Sequence, residues 1–394
     1  MLTPFTSDVK VYVVNIDRTA ISRLSAQVRG IVMQAMRYER LGGPEVLELV
    51  DLPPPVPAAG EVLVEVEAAG VNFSDVGRRR GLYLDATPLP FVPGSEIVGR
   101  VRALGPGVSS AARGDRVAGV IATRSGGYAE LCTIAAGLVT RIDERLDAAI
   151  AVAVPNQGAT AFHLLETMAR LQPGESVAVT AAAGGVGGLA IQLARHFRAG
   201  KVIALASAAH KLAHARRLGA DVCIDVTTDG LREQLHAATD GRGCDVVLDS
   251  VGGDVAAALL SSLAPFGRLV SFGVASGAPL SVVSPTLMKR SLTVSGFHLD
   301  AVMAVPGRFS ATLTRLYELV AAGVVVPHVG LELSLERAVE AHTAMEARTT
   351  VGKIVLSPGV RHDRNPDSLR HHAGPAAASN RHRIPENSKD RGSR

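Results

Sequence analysis

The sequence predicts an α/β protein of two domains, one a doubly wound parallel sheet and the other a sheet of short antiparallel strands. Three observations predict it. A glycine-rich run, Thr180-Ala181-Ala182-Ala183-Gly184-Gly185-Val186-Gly187-Gly188-Leu189-Ala190, stands between a strand-like segment and a helical one. From Gly158 to about Gly296, strand and helix patterns alternate, as crossover connections of a parallel sheet require. From Met36 to about Val154 the pattern is instead short strands broken by Pro-Gly and Gly-Asp turns. With 394 residues, 47% hydrophobic and 20% charged, the chain has the length and composition of two ordinary globular domains.

Residues 1–32 carry no pattern that the rest explains, and Met33 and Met36 stand just before a well-patterned segment. They are expected to be a loose extension or a mis-assigned start. Glu61–Glu67 then alternates polar and apolar residues, as a half-buried antiparallel strand does. Val92–Leu104 and Asp115–Ala122 continue the same style. The second domain is expected to supply strands at Val177–Thr180, Val202–Ala206, Val222–Asp225, Asp245–Asp249, Arg268–Phe272 and Leu292–Ser295. Helices are expected between them at Leu189–Phe197, Lys211–Leu218, Leu231–Thr239 and Val255–Leu263. Two further helices, Phe309–Ala322 and Leu335–Ala347, and a strand, Lys353–Leu356, suit a return to the first domain. The remainder, 358–394, is rich in Arg, His, Pro, Asn and Ser and is expected to be a disordered basic tail.

The charge balance removes a nucleic-acid reading. Residues 361–394 hold eight Arg or Lys and four Asp or Glu, which accounts for the +4 of the whole chain. Residues 1–32 add four basic and two acidic groups, so 33–360 sit near −2. A basic tail on a near-neutral body is not a basic binding face. Three widely spaced cysteines, Cys132, Cys223 and Cys244, match neither a disulfide framework nor a metal-ligand pair. No apolar run reaches the roughly 18 residues of a membrane span, and no secretory leader pattern is present. A cytoplasmic setting is expected.

Within the glycine-rich run, Ala182, Gly185 and Gly188 have the spacing of a dinucleotide fingerprint, with Ala in the first position. A strand before it and a helix after it strengthen that reading. Such a turn brings backbone amides and the positive end of a helix to a pyrophosphate. Ala182, Gly184, Gly185, Val186, Gly187 and Gly188 are the expected cradle. The second strand, Lys201–Ala206, runs into Ser207-Ala208-Ala209-His210-Lys211 with no acid to hold ribose hydroxyls. Ser207 can donate a hydrogen bond and Lys211 a positive charge to a 2′-phosphate. NADPH is therefore expected as the cofactor.

The chain resembles the zinc-independent quinone oxidoreductase (zeta-crystallin-like) branch of the medium-chain dehydrogenase/reductase superfamily. The resemblance runs through GGPEVLEL (42–49), GEVLVEVEAAGVNFSD (60–75), PGSEIVGRV (93–101), GDRVAG (114–119), the glycine-rich run, DVVLDSVGG (245–253) and VGKIVL (351–356). It implies a GroES-like, partly open β-barrel catalytic domain over 33–157 and 297–357, around a Rossmann domain over 158–296. Zinc-dependent members carry ligands where Asn72 and Ser95 stand and close to Asn156. Zinc prefers thiolate and imidazole, so no metal is expected here. Without a Lewis acid, alcohol oxidation is hard, whereas reduction of an electron-poor conjugated carbonyl needs chiefly orientation and water exclusion.

The resemblance implies NADPH-dependent reduction of a quinone or enone. Asn72 is expected to hydrogen-bond the acceptor oxygen and Tyr83 to donate a hydrogen bond or a proton. Asp75 either joins them or caps a helix over 76–81. Thr160, Ser250, Phe272, Gly273 and Lys353 correspond to family positions along the cofactor path. Val226 replaces a tyrosine found in several relatives. His163 is expected to be a packed helix residue. Two alternatives stay open: an enoyl-thioester reductase with Tyr83 protonating the α-carbon, and a non-catalytic NADPH-binding protein. The sixth parallel strand is an expected sheet edge, which suits a homodimer.

Overall fold

A computed structural model describes residues 32–359. The expectations for residues 1–31 and 360–394 lie outside the described residues. The antiparallel part begins with β1 (Met33–Arg37), β2 (Glu48–Leu52), β3 (Glu61–Val71), β4 (Glu96–Leu104), β5 (Arg116–Val120), β6 (Leu131–Ala135) and β7 (Val139–Arg141). The parallel part follows as β8 (Ser176–Val179), β9 (Lys201–Ala206), β10 (Val222–Asp225), β11 (Cys244–Asp249), β12 (Leu263–Ser271) and β13 (Thr293–Gly296). Last come β14 (Val329–Ser334) and β15 (Lys353–Ser357), which join the first sheet.

Burial follows the sequence pattern. Along β3, even-numbered residues from Val62 to Val66 are buried and odd-numbered ones half-exposed, the alternation of a sheet with one wet face. Every residue of β8 and β11 is buried, because helices cover both faces of the parallel sheet. Its strand order is β10-β9-β8-β11-β12-β13, the arrangement of a Rossmann fold. The order reverses between β8 and β11, and a ligand crevice opens at the carboxyl ends of strands at such a point. There Thr180 Oγ1 accepts the Ser250 amide at 2.9 Å, tying the two strand ends together.

The antiparallel sheet runs β14-β15-β3-β4-β5-β7, with β6 also on β3. Because β15 and β4 flank β3, residues at their adjoining ends meet: Lys353 opens β15, Asn72 follows β3 and Glu96 opens β4.

Several boundaries differ from expectation, some for evident local reasons. The helix expected over 76–81 spans Phe73–Arg79, because Asn72 and Asp75 form a capping box that starts it earlier. The strand expected from Val92 begins at Glu96; Pro93 has no N–H to pair, and Gly94 takes φ +98°. The helix expected over 335–347 divides into a 3-10 turn, Leu335–Arg337, and a helix, Ala338–Glu346.

Candidate functional site

The glycine-rich run forms the turn between β8 and the helix Gly185–His196. Gly184 is the N-cap and no side chain caps the helix, leaving its first amides for a ligand. The close fit of this turn explains its glycines. A Cβ on Gly187 would lie 2.4 Å from the Ala181 carbonyl oxygen, and one on Gly185 would collide with the Gln157 side chain. Ala182 is fully buried, its amide bonded to Leu205 O. Val186 packs at the edge of the core. A narrow crevice runs beside the turn, lined in part by Gln157, Gly184, Gly185, Gly188 and Gly352.

Lys211 stands on the helix Ala209–Arg217, and its Nζ donates to Arg348 O at 2.6 Å. Burial, followed by the Arg348 charge, lowers the Lys211 pKa. An anion between these two cations would relieve their repulsion, and Ser207 follows the end of β9 just before that helix. Arg348, with φ +54°, was not foreseen from sequence. Gly273 approaches Ser250 so closely that a Cβ would sit 3.0 Å from Ser250 O. The Phe272 amide bonds Asp249 O at 2.8 Å. Val226 continues β10 by donating to Ala206 O and packs in the apolar cluster on that side of the sheet.

At the junction lies a buried polar cluster centred on Asn72. Its Oδ1 accepts from Lys353 Nζ at 2.9 Å, Asn156 Nδ2 at 3.0 Å and Gln157 Nε2 at 3.5 Å. Its Nδ2 donates to Glu96 Oε1 at 2.8 Å and Ser95 Oγ at 3.2 Å. The ammonium of Lys353 also reaches Val71 O at 3.0 Å and pairs with Glu96, both side chains being 0% exposed. Glu96 Oε2 accepts the Asn156 amide at 2.8 Å. Gly70 leaves the room, since a Cβ there would lie 2.5 Å from Glu96 Oε1. Lys353 is thus neither a solvated strand-start lysine nor an open cofactor contact. Its proton donors all face the protein, and it holds Asn72 from beneath.

Gln157 joins the two halves of the site. It packs against Gly185, reaches Asn72, and keeps its Oε1 buried without a partner. Thr160 lies on the same helix, Gln157–His163, half-buried, its amide bonded to Asn156 O. An orphaned buried oxygen beside an uncapped helix start fits a polar cofactor that the protein does not itself replace.

Asp75 takes the capping role. Its carboxylate accepts the Asn72 amide at 2.9 Å and the Tyr128 hydroxyl at 3.3 Å, and it is 1% exposed. Burial pushes its pKa up to about 6. It has no open face for an acceptor, so it positions Asn72 through the helix start. Tyr83 is half-buried, its hydroxyl 2.8 Å from His298 Nε2 and its ring 4.0 Å beneath the Arg78 guanidinium. His163 is packed as expected, between Thr167 and Thr312, and burial lowers its pKa to about 4.

A two-domain chain with an uncapped glycine-rich helix start beside a buried amide and ammonium cluster has the architecture of a dinucleotide-dependent oxidoreductase. Comparison with known proteins places it more narrowly. Residues 58–144 match the alcohol dehydrogenase GroES-like domain and 185–318 the zinc-binding dehydrogenase family. The quinone oxidoreductase of Pseudomonas aeruginosa is 37% identical over 325 residues, covering 82% of this chain and 99% of that protein. Quinone oxidoreductase-like protein 2 of Mus musculus is 35% identical, covering 75% and 85%. The crystal structure of Escherichia coli quinone oxidoreductase complexed with NADPH superposes with a TM-score of 0.78 at 33% identity, covering 82% of this chain and 100% of that one. The chain belongs to the zinc-independent quinone oxidoreductase branch of the medium-chain dehydrogenase/reductase superfamily.

Zinc does not suit the residues present. The three relevant positions hold two amides and a hydroxyl, and the Lys353 ammonium sits within hydrogen-bond distance of Asn72. A fixed cation beside weak neutral donors repels a divalent ion.

Proposed function

We propose that the chain is an NADPH-dependent oxidoreductase that passes hydride to a quinone or another conjugated carbonyl acceptor. One observation carries the reading: Gln157 spans from the glycine-rich turn at Gly185 to the amide of Asn72. Cradle and polar cluster are therefore one side chain apart, and a cofactor over the first reaches the second. In this reading the Rossmann part is 158–296 and the catalytic part 33–157 with 297–357.

NADPH supplies the hydride when bound. The protein residues do the rest. The helix-start amides of Gly185, Val186 and Gly187 hold the pyrophosphate, with Ala182, Gly184 and Gly188 shaping the turn. Ser207, Lys211 and Arg348 receive the 2′-phosphate. Thr160, Ser250, Phe272 and Gly273 border the path of the nicotinamide half. Asn72, held by the Lys353–Glu96 pair and by the cap from Asp75, offers its amide to the acceptor oxygen by exchanging the 3.2 Å bond that its Nδ2 makes to Ser95 Oγ. Developing negative charge on that oxygen is met by this donor and a nearby buried cation. Tyr83 supplies the proton.

Among the described residues no helix is long and apolar enough to cross a membrane. A cytoplasmic setting is proposed from the free cysteines Cys132, Cys223 and Cys244. A homodimer is proposed through β13, which among the described residues pairs only with β12. Turnover of 1,4-benzoquinone against crotonyl-CoA, each with NADPH and NADH, tests the function. Faster reduction of the quinone with NADPH is expected. Preference for the thioester would shift the reading to an enoyl reductase, and absence of turnover with bound NADPH would refute it.

A further inference from the structure

Two residues that no sequence motif singles out stand directly behind Tyr83. Beyond β13 the chain continues through Phe297-His298-Leu299-Asp300, just past the carboxyl end of a parallel strand, where such sheets hold their ligands. His298 Nε2 is 2.8 Å from the Tyr83 hydroxyl. His298 Nδ1 is 3.3 Å from Asp300 Oδ2. Asp300 Oδ1 is gripped by Arg124, at 2.5 Å from Nη2 and 3.2 Å from Nε. Arg124 in turn donates from Nη1 to Asn156 Oδ1 at 3.1 Å, and Asn156 donates to Asn72. An unbroken path of polar contacts thus runs from the proton donor to the group assigned to the acceptor oxygen.

Two further features set this path apart from ordinary surface ion pairing. Arg124 is buried and adopts φ +58°, a conformation that non-glycine residues hold only where the surroundings demand it. The middle of the path is open to water: the His298 and Asp300 side chains are 39% and 46% exposed.

We propose that Tyr83, His298 and Asp300 form a proton relay for the acceptor, with Tyr83 as the catalytic donor and the other two as positioning and recharging groups. The proposal rests on the reductase reading above. Once hydride has reached the acceptor, the reduced acceptor carries one negative charge. The O–H bond of Tyr83 breaks and its proton forms a bond to the acceptor. The resulting phenolate takes the Nε2 proton of the His298 imidazolium, whose Nδ1–H remains on Asp300. A solvent proton then returns to Nε2 of the neutral imidazole, which the 39% exposure of the His298 side chain leaves within reach of water. The sum is one hydride from NADPH and one proton from solvent, and the protein ends as it began.

The charges facing the relay favour each state it must occupy. Arg78 lies over the Tyr83 ring and steadies a phenolate. The hydrogen bond from His298, together with Arg124, holds Asp300 well below the usual carboxylate range, so it stays charged opposite the imidazolium. Burial raises the Tyr83 pKa, which keeps the phenol protonated until the acceptor draws on it.

The test compares wild type with Tyr83→Phe, His298→Ala and Asp300→Asn, using NADPH and 1,4-benzoquinone across pH. Losses in kcat of about 100-fold for the first two are expected, with KM and NADPH binding by fluorescence nearly unchanged. Exogenous imidazole should restore activity to His298→Ala but not to Tyr83→Phe. Wild-type kcat should carry a solvent deuterium isotope effect that is lost in His298→Ala. Variants within about twofold of wild type, or imidazole that restores nothing to His298→Ala, overturn the relay while leaving the reductase reading intact. A wild-type chain inactive on every acceptor overturns both.

Discussion

Replacing Lys353 with Met isolates the energetic weight of the buried pair at the junction. The side chains of Lys353 and Glu96 are both 0% exposed. Removing the ammonium leaves the Glu96 carboxylate with Asn72 Nδ2 and the Asn156 amide, each at 2.8 Å, but with no counter-charge. It also strips one donor from Val71 O and one from Asn72 Oδ1. Leaving one member of a buried pair unopposed costs about 3–5 kcal/mol. At about 2 °C per kcal/mol for a chain of this size, Tm should fall by about 6–10 °C. The double variant Lys353→Met/Glu96→Gln removes both charges and should return to within about 2 kcal/mol of wild type. Urea unfolding of all four proteins closes the cycle. Enzyme activity should not recover in the double variant, because Asn72 has lost its anchor. A single variant that loses less than about 1 kcal/mol, or a double loss equal to the sum of the singles, would refute this account of the pair.

Gly187→Ala should weaken NADPH by more than about tenfold, measured by fluorescence titration, because its Cβ meets a backbone oxygen that cannot retreat alone. Lys211→Ala and Arg348→Ala should each weaken NADPH by about tenfold and NADH much less; equal losses for both cofactors would count against a 2′-phosphate site. Asp75→Asn tests a pH dependence. The Asp75 pKa rises from 3.8 to about 6 on burial, so the folded state holds its proton more tightly than the unfolded one. That contribution is complete below the unfolded pKa and is lost as pH rises through the folded one. Relative to Asp75→Asn, wild type should therefore lose about 2 kcal/mol between pH 4 and pH 7. A stability difference that stays flat with pH would contradict it.

The parallel sheet was readable because each strand is a short apolar run between glycine punctuation and an amphipathic helix. Its six strands fall within a few residues of expectation; the largest difference is β12, which starts at Leu263 rather than Arg268. The glycine-rich turn was readable for the same local reason. Long-range partnerships were not. Glu96 opens a strand just before the buried run Ile97-Val98-Gly99, and Lys353 opens another just before Ile354-Val355-Leu356. Each was a charge in an inner position that called for a partner, but nothing local says they are partners for each other. Only the β15-β3-β4 order brings them to Asn72. Arg124, His298 and Asp300 are similarly invisible. They come from loops 176 residues apart, and no spacing rule links a loop of one sheet to the end of another. The role of Asp75 was left open between acceptor and cap, since an Asn-x-x-Asp start signals a helix as readily as it signals chemistry.

The ammonium beneath Asn72 also bears on how the site is assembled. A metal centre is finished only after folding, when an ion has been captured from the cell's supply, and a chelator can undo it. Here the positive charge is built into β15 and arrives at its post as that strand docks on β3. The site is complete as soon as the sheet is, and neither zinc starvation nor a chelating agent has anything to remove.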